Sequence, residues 1–418
     1  MRGEAPIPRI LGIPPKRKGL TMSTLGISVY PDIRPLEEIA DYLRLAARYG
    51  YTRVFSSMFS VEGTPEEVLT YFRELNAVAH ECGMRTSLDI NPECMARLGA
   101  TPQDLSVFQG IDCDILRMDG AYGEDDNVAM LKNPYGLEIE YNASALMPEA
   151  IEALVARGVD KQRILACHNF YPQRYTGMRW DKFCYVNERL SALDIRIGAF
   201  VASQAPGTHG VWDAICGLPT VERMRDYPAD LAARLLAAAG TTDVFFGNAY
   251  ASEEELAAVA EALAYTEPTF PRAGAKEAYD GLRAFFDPEG VGGELTQRKV
   301  RVEPLYDLSD VEREILFDFY PHVDMGDSSE WIWRTRMERV VFAGERIAPR
   351  RYVGSHFQPG DVTIVNDNYK HYAGEVQVVL EPIVNDGTRN LVARIDAEEM
   401  TMFDLIADGD AVIFLPVR

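Results

Sequence analysis

Two aspartates set the chemistry this chain is equipped for. Asp89 stands near the end of the apolar run RTSLDIN and Asp119 near the end of ILRMDG, where a strand gives way to a loop. Side chains alternate along a strand, so the apolar partners assign a direction to each polar one. With Leu88 and Ile90 packed outward, Ser87, Asp89 and Asn91 point inward; with Leu116 and Met118 outward, Arg117 and Asp119 point inward. In LEIEYNAS, outward Leu137, Ile139 and Tyr141 leave Glu138, Glu140 and Asn142 inside. In ILACHNF, outward Leu165 and Cys167 leave His168 inside. Asp89, Asp119, Asn142 and His168 then form a polar ring, with Arg117 and Glu140 one layer below as an expected ion pair.

Carboxylates on neighbouring strands, about 4.8 Å apart, can approach the ~5–5.5 Å separation of a retaining glycosidase or widen to the ~6.5–9.5 Å of an inverting one. One carboxyl must carry a proton for the leaving oxygen while the other stays ionised. Burial and a neighbouring like charge both raise one pKa and so separate the roles. A metal-assisted sugar epimerase or lyase is the competing reading for such a ring. Against it, no HxH or HExxH occurs, so no metal site is expected. No glycine-rich phosphate loop or nucleotide fingerprint is present, and no cofactor is expected.

These residues need a scaffold, and the pattern supplies one. LGISVYP, RVFSSMF, RTSLDIN, ILRMDG, LEIEYNAS, ILACHNF, RIGAFVAS and DVFFGN read as strands alternating with helices such as LEEIADYLRLAARYG. Eight strands in about 240 residues fit a (β/α)8 TIM barrel, whose ligands bind at the carboxyl ends of the strands. Composition changes after Ala264, where prolines and DPEGVGG form a connector containing a short helix. Beyond it, KVRVEPL, RVVFAG, DVTIVND, GEVQVVLE, NLVARI and AVIFLPV are short β runs between turn residues. The expected division is an N-terminal extension over 1–22, read as disordered, a barrel over 23–266, a connector over 267–297 and a small all-β domain over 298–418. Met22 is an alternative start.

A chain of 418 residues with 47% hydrophobic and 25% charged content is long enough for two soluble cores. Its net charge of −22 argues against nucleic acid as a partner, although a few focused arginines can still hold an anionic substrate. No apolar run approaches the roughly 20 residues of a membrane span. The cysteines Cys82, Cys94, Cys113, Cys167, Cys184 and Cys216 occur singly, which suits reduced thiols in cytoplasm.

Several segments together resemble one family: GISVYP, SLDINPE, LRMDGAYG, LEIEYNAS, ACHNFYPQRYTG and GLPTVERMR. The chain is similar to the 6-phospho-N-acetylmuramidases, bacterial cytoplasmic glycosidases of peptidoglycan recycling. The resemblance extends over nearly everything after Met22. It implies a TIM barrel followed by a cyclophilin-like β-barrel domain. It also implies hydrolysis of the β-1,4 bond in a small phosphorylated amino-sugar disaccharide, N-acetylmuramic acid 6-phosphate–N-acetylglucosamine. Carried over by motif, Asp89 and Asp119 are the catalytic carboxyls, with the choice of acid open and an acetamido-assisted route equally open. Asn142, His168, Asn169, Tyr171, Glu140 and Arg117 are expected around the substrate. Arg174, Arg350 and Arg351 are the guanidinium candidates for its phosphate. In the second domain NDNYKHYAGEVQV is family-like, carrying Tyr369, Tyr372 and Glu375, whereas SHFQPGDVTI lacks an expected basic residue near Gln358. That domain is expected to cover the barrel mouth or to build a homodimer contact, and not to act as a prolyl isomerase. A sugar-phosphate-binding protein without turnover is the remaining alternative.

Overall fold

The computed structural model describes residues 23–31, 33–58, 61–145, 148–211, 216–286 and 295–417. The expected N-terminal extension, 1–22, and the DPEGVGG stretch lie outside the described residues. The described chain divides into two compact units, the first ending at Ala264 and the second beginning at Tyr265.

The first unit is a closed barrel of eight parallel strands. In chain order they are β1 Thr24–Ser28, β2 Arg53–Ser57, β3 Arg85–Ile90, β4 Ile115–Met118, β5 Glu138–Asn142, β6 Ile164–Cys167, β7 Arg196–Val201 and β8 Asp243–Phe246. Each pairs with the next, and β8 closes on β1 through Leu25 and Val244. Two of the helices between them start at capping boxes. Thr64 accepts the Glu67 amide while the Glu67 carboxylate accepts the Thr64 amide, and Pro65 opens the first turn. Ser252 and Glu255 repeat the device before helix Glu253–Leu263. Such caps are worth about 1 kcal/mol each. Helix Leu36–Arg48 then buries Ile39, Leu43 and Ala46, a spacing that keeps one face on the barrel.

The bore is filled unequally. Phe55, Phe200 and Phe245 cluster with Tyr30 and Cys167, the rings of Phe200 lying 5.4 Å from both Phe55 and Phe245. Space for this plug is made at Gly26, where an added Cβ would stand 2.2 Å from the Phe245 ring. The opposite wall, on β3 to β5, carries Ser87, Asp89, Arg117 and Glu140. One half of the barrel interior is aromatic and the other polar.

The second unit is mostly β and barrel-like, with strands β9 Gln297–Pro304, β10 His322–Val323, β11 Ile332–Arg334, β12 His356–Phe357, β13 Asp361–Val365, β14 Val376–Val379, β15 Ile383–Val384, β16 Arg389–Arg394 and β17 Ala411–Pro416. Seven of them form one sheet in the order β10-β17-β9-β16-β13-β14-β11, and β12 pairs with β15. Val362 faces Val378 and Ile364 faces Val376 across the β13–β14 pair, all fully buried. The segment RVVFAG departs from expectation: it lies in and just after the short helix Met337–Val341. A run of so few apolar residues fits one helical turn as well as a strand. Here buried Glu338 holds the helix, accepting from Thr335 and lying 2.6 Å from His322 Nδ1. All six cysteines are free thiols. Among the described residues no helix is long and apolar enough to cross a membrane.

Candidate active site

A charged layer crosses the lower bore. Arg53, 2% exposed, donates to Glu140 at 2.9 Å and to Asp243 at 2.8 Å, with its Cζ 4.9 Å from the Phe245 ring. Ser87 donates to the other Glu140 oxygen at 2.9 Å, and Arg196 to Asp243 at 2.6 Å. Glu140 is thus the partner of Arg53. The expected pairing with Arg117 does not form, although the two are opposite in the β4–β5 register. Arg53 went unnoticed in the sequence because it opens RVFSS at the base of a strand, where an exposed arginine is the ordinary reading.

Above this layer, Arg117 spans the bore between two strand ends. It donates at 2.6 Å to Asp89 and, through its other terminal nitrogen, to the Asn169 side-chain oxygen. Its Cζ lies 5.7 Å from the Phe55 ring, so the guanidinium also closes the seam with the aromatic half. Asp89 is buried, and burial pushes its carboxyl up to about 6. Arg117 pulls in the opposite direction and the nearby Asp119 carboxylate adds to the rise.

Asp119 follows β4, two residues beyond Arg117, and is only partly buried. The Asp89–Arg117 register and that two-residue step put the two aspartate backbones roughly 8 Å apart by strand geometry. Asn142 donates to Asp119 at 3.3 Å, and its own oxygen accepts the Ser144 amide at 3.0 Å. The alternation reading therefore holds for β3, β4 and β5. It gives one buried carboxyl with a raised pKa beside one partly exposed carboxyl at the mouth, an arrangement suited to separate acid and base roles.

The reading fails for β6. Leu165 lies opposite in-facing Glu140, and Cys167 packs with Phe55 and Phe245, so both point into the bore. His168 points outward instead. Its Nε2 donates to Asn187 at 2.8 Å, and its ring lies 4.7 Å from Phe183, both on helix Trp180–Ala192. ILAC is apolar on both faces, as parallel strands often are, and alternation cannot orient such a run. The inward residue of the pair is Asn169. His168 is a positioning residue: Ser144 bridges its Nδ1, at 3.4 Å, and the Asn169 amide, at 2.9 Å, which ties the ends of β5 and β6 together.

Burial, aided by the charges of Lys182 and Arg117, pushes the His168 imidazole down to about 4. The folded pKa lies below the unfolded one, so its stabilisation is complete above pH 6.5 and is lost as pH falls toward 4. The gap is worth roughly 3 kcal/mol in full. About 1 kcal/mol of this falls between pH 7 and 5.5, above the pI of 4.8. Hydrogen exchange of β5 and β6 in increasing urea at those two pH values should show that extra loss in the parent and not in His168→Gln; equal losses would refute a buried neutral imidazole.

The loop after β6 is stapled from a distance. Arg225, 2% exposed, donates to the carbonyls of Tyr171 and Cys216 at 2.9 Å and of Gln173 at 3.2 Å, and it pairs with Glu222 at 2.6 Å. Glu222 in turn accepts the amides of Tyr175 and Gly177. Both residues stand in GLPTVERMR, which carries family resemblance but no pattern that announces a staple. Next to this loop is a groove of about 550 Å³ lined by Tyr171, Thr176, Met178, Arg179, Asp181, Lys182 and Tyr185, within the range of small-molecule sites. Lys182 donates to the Ser144 carbonyl at 3.3 Å, so the groove adjoins the Asn169–Arg117–Asp89 chain. Of the expected phosphate arginines, Arg174 is held by both oxygens of Asp226 and Arg350 by Glu312. Arg351, in the second unit, is exposed and makes no ion pair among the described residues. Among the described residues no group of three or more His, Cys, Asp or Glu side chains is arranged to hold a metal ion.

Two family models match the chain. One, described as 6-phospho-N-acetylmuramidase, N-terminal, matches residues 25–261, and the other, 6-phospho-N-acetylmuramidase, C-terminal, matches residues 299–415. Among solved structures, an uncharacterized Bacillus cereus protein is 28% identical with a TM-score of 0.78, covering 94% of this chain and 100% of its own. A conserved Enterococcus faecalis protein of unknown function is 23% identical with a TM-score of 0.62, covering 94% and 96% respectively, and supports the fold alone. No curated protein matches the chain significantly.

Proposed function

The chain belongs to the 6-phospho-N-acetylmuramidase family of glycoside hydrolases, and from that premise we propose that it cleaves N-acetylmuramic acid 6-phosphate–N-acetylglucosamine in cytoplasmic peptidoglycan recycling. The observation that carries the reading is the unequal carboxyl pair at the carboxyl ends of β3 and β4. Asp89 is the acid: burial holds its proton up to about pH 6, and it gives that proton to the glycosidic oxygen as the bond to the anomeric carbon breaks. Arg117, already 2.6 Å away, then neutralises the carboxylate that remains. The Asp119 carboxylate, held in direction by Asn142, faces the positive charge that develops on the sugar ring, and water then bonds to the anomeric carbon to complete the hydrolysis. The Tyr171–Lys182 groove accommodates part of the disaccharide beside them.

Incubation with the phosphorylated disaccharide, read by mass spectrometry, should release N-acetylglucosamine; no release at micromolar enzyme defeats the proposal. The sign of the pH dependence follows from the acid role. Activity requires protonated Asp89, so kcat/KM should fall as pH rises through about 6. Arg117 lowers the Asp89 pKa, so Arg117→Met should move this limb to higher pH. A flat profile from pH 5 to 7.5, or a limb shifted downward, assigns the acid elsewhere.

A further inference from the structure

The second unit concentrates positive charge that the glycosidase reading leaves unused. The whole chain carries −22, yet Arg334 and Arg339 flank one aromatic residue, Tyr372, and Arg336 joins them through a carboxylate it shares with Arg334. Arg334 and Arg339 hold their Cζ atoms 5.6 and 5.3 Å from its ring. Both donate to the same oxygen of fully buried Glu375, at 3.3 and 3.1 Å. Arg334 also pairs with Asp327 at 3.3 Å, and Arg336 pairs with that same oxygen. Three guanidinium groups thus meet two carboxylates. Lys370 is exposed and makes no ion pair among the described residues. Among the described residues the buried Nε atoms of Arg334 and Arg336 have no hydrogen-bond partner.

The cluster is built, not incidental to a mobile surface. Gly374 has φ of 98° and lies so close to helix Met337–Val341 that an added Cβ would stand 3.2 Å from the Arg339 Cα. That contact fixes Tyr372 and Glu375 against Arg339. Tyr369, 53% exposed, stacks on Tyr372 at 5.0 Å and 29° and offers its outer ring to solvent. Guanidinium groups fixed by a buried carboxylate keep their remaining donors pre-organised for a second oxyanion. An exposed tyrosine beside them suits the flat face of a sugar.

We propose that the Arg334–Arg339–Tyr372 cluster itself binds a sugar phosphate, with the phosphate on the cationic groups and the ring on Tyr369. The anion site stands on the second unit's own geometry; only the choice of sugar rests on the glycosidase reading. The probe is N-acetylglucosamine 6-phosphate, with N-acetylglucosamine and inorganic phosphate as separate arms, and the readout is hydrogen exchange of segments 334–339 and 366–375 in the full chain. The sugar phosphate should protect both segments at concentrations at least about tenfold below those needed for either control, the scale of one charge-assisted hydrogen bond. Arg336→Gln with Lys370→Ala should abolish that protection, and Tyr369→Ala should bring the sugar phosphate down to the level of inorganic phosphate. These side chains lie at or near the surface, so the variants should keep the parent's circular dichroism. Asp119→Asn, in the barrel, should leave the protection unchanged even if it stops turnover, which separates this site from the proposed reaction. Absence of protection, or protection that survives the Arg336/Lys370 change, overturns the proposal. Equal protection by inorganic phosphate overturns the sugar part of it.

Discussion

Asp119→Asn should lower turnover of the phosphorylated disaccharide by at least about a hundredfold, the scale of a lost acid–base or charge-stabilising group, while the barrel stays folded. The expectation is clean because of where Asp119 sits. It is partly exposed, beyond the end of β4, and its one side-chain hydrogen bond among the described residues comes from Asn142 at 3.3 Å. Asparagine keeps the shape and removes only the charge, so stability should change by no more than about 0.5 kcal/mol. Asp89→Asn should lower turnover as much but is harder to interpret. It deprives buried Arg117 of its carboxylate partner, so part of any loss would be structural. Initial rates with circular dichroism on both variants decide the matter. Near-normal turnover in the Asp119 variant would remove that residue from the chemistry.

Arg53→Met should destabilise the barrel by about 3–5 kcal/mol, the cost of breaking a buried ion pair by removing one member. Glu140 and Asp243 are each 1% exposed and would both lose an arginine, though Ser87 and Arg196 remain to them. The contact with the Phe245 ring goes as well. Because the chain has two compact units, a single unfolding transition does not isolate the barrel. Hydrogen exchange of β2, β5 and β8 in increasing urea does. Adding Glu140→Gln should recover part of the loss, since one stranded charge disappears. A deficit below about 1 kcal/mol would mean that this layer is hydrated and that its charges need no partner.

Much of this molecule could be read from its residues, and the exceptions share a cause. Eight strands stand out because each is an apolar run between turn signals, and β3 to β5 reveal their faces because polar and apolar positions alternate. That is why the sequence orients Asp89, Asp119 and Asn142. ILAC offers no such contrast, and the directions of Cys167 and His168 came out reversed. Arg53 and Arg225 were invisible for a different reason: each gains its role from partners remote in the chain, Asp243 for one and the loop after β6 for the other. RVVFAG was too short to distinguish helix from strand, and only Glu338, buried against His322 and Thr335, decides it.

The Phe245 ring occupies room that Gly26 vacates, with 2.2 Å left for any added carbon. The two positions are therefore bound to one evolutionary trajectory, and its steps have an order. A bulkier residue at 26 is viable only after 245 has shrunk, whereas a smaller residue at 245 leaves a void that 26 can later fill. Lineages should cross between these states in that direction, and the reverse order would pass through a barrel in which the side chain at 26 collides with the Phe245 ring.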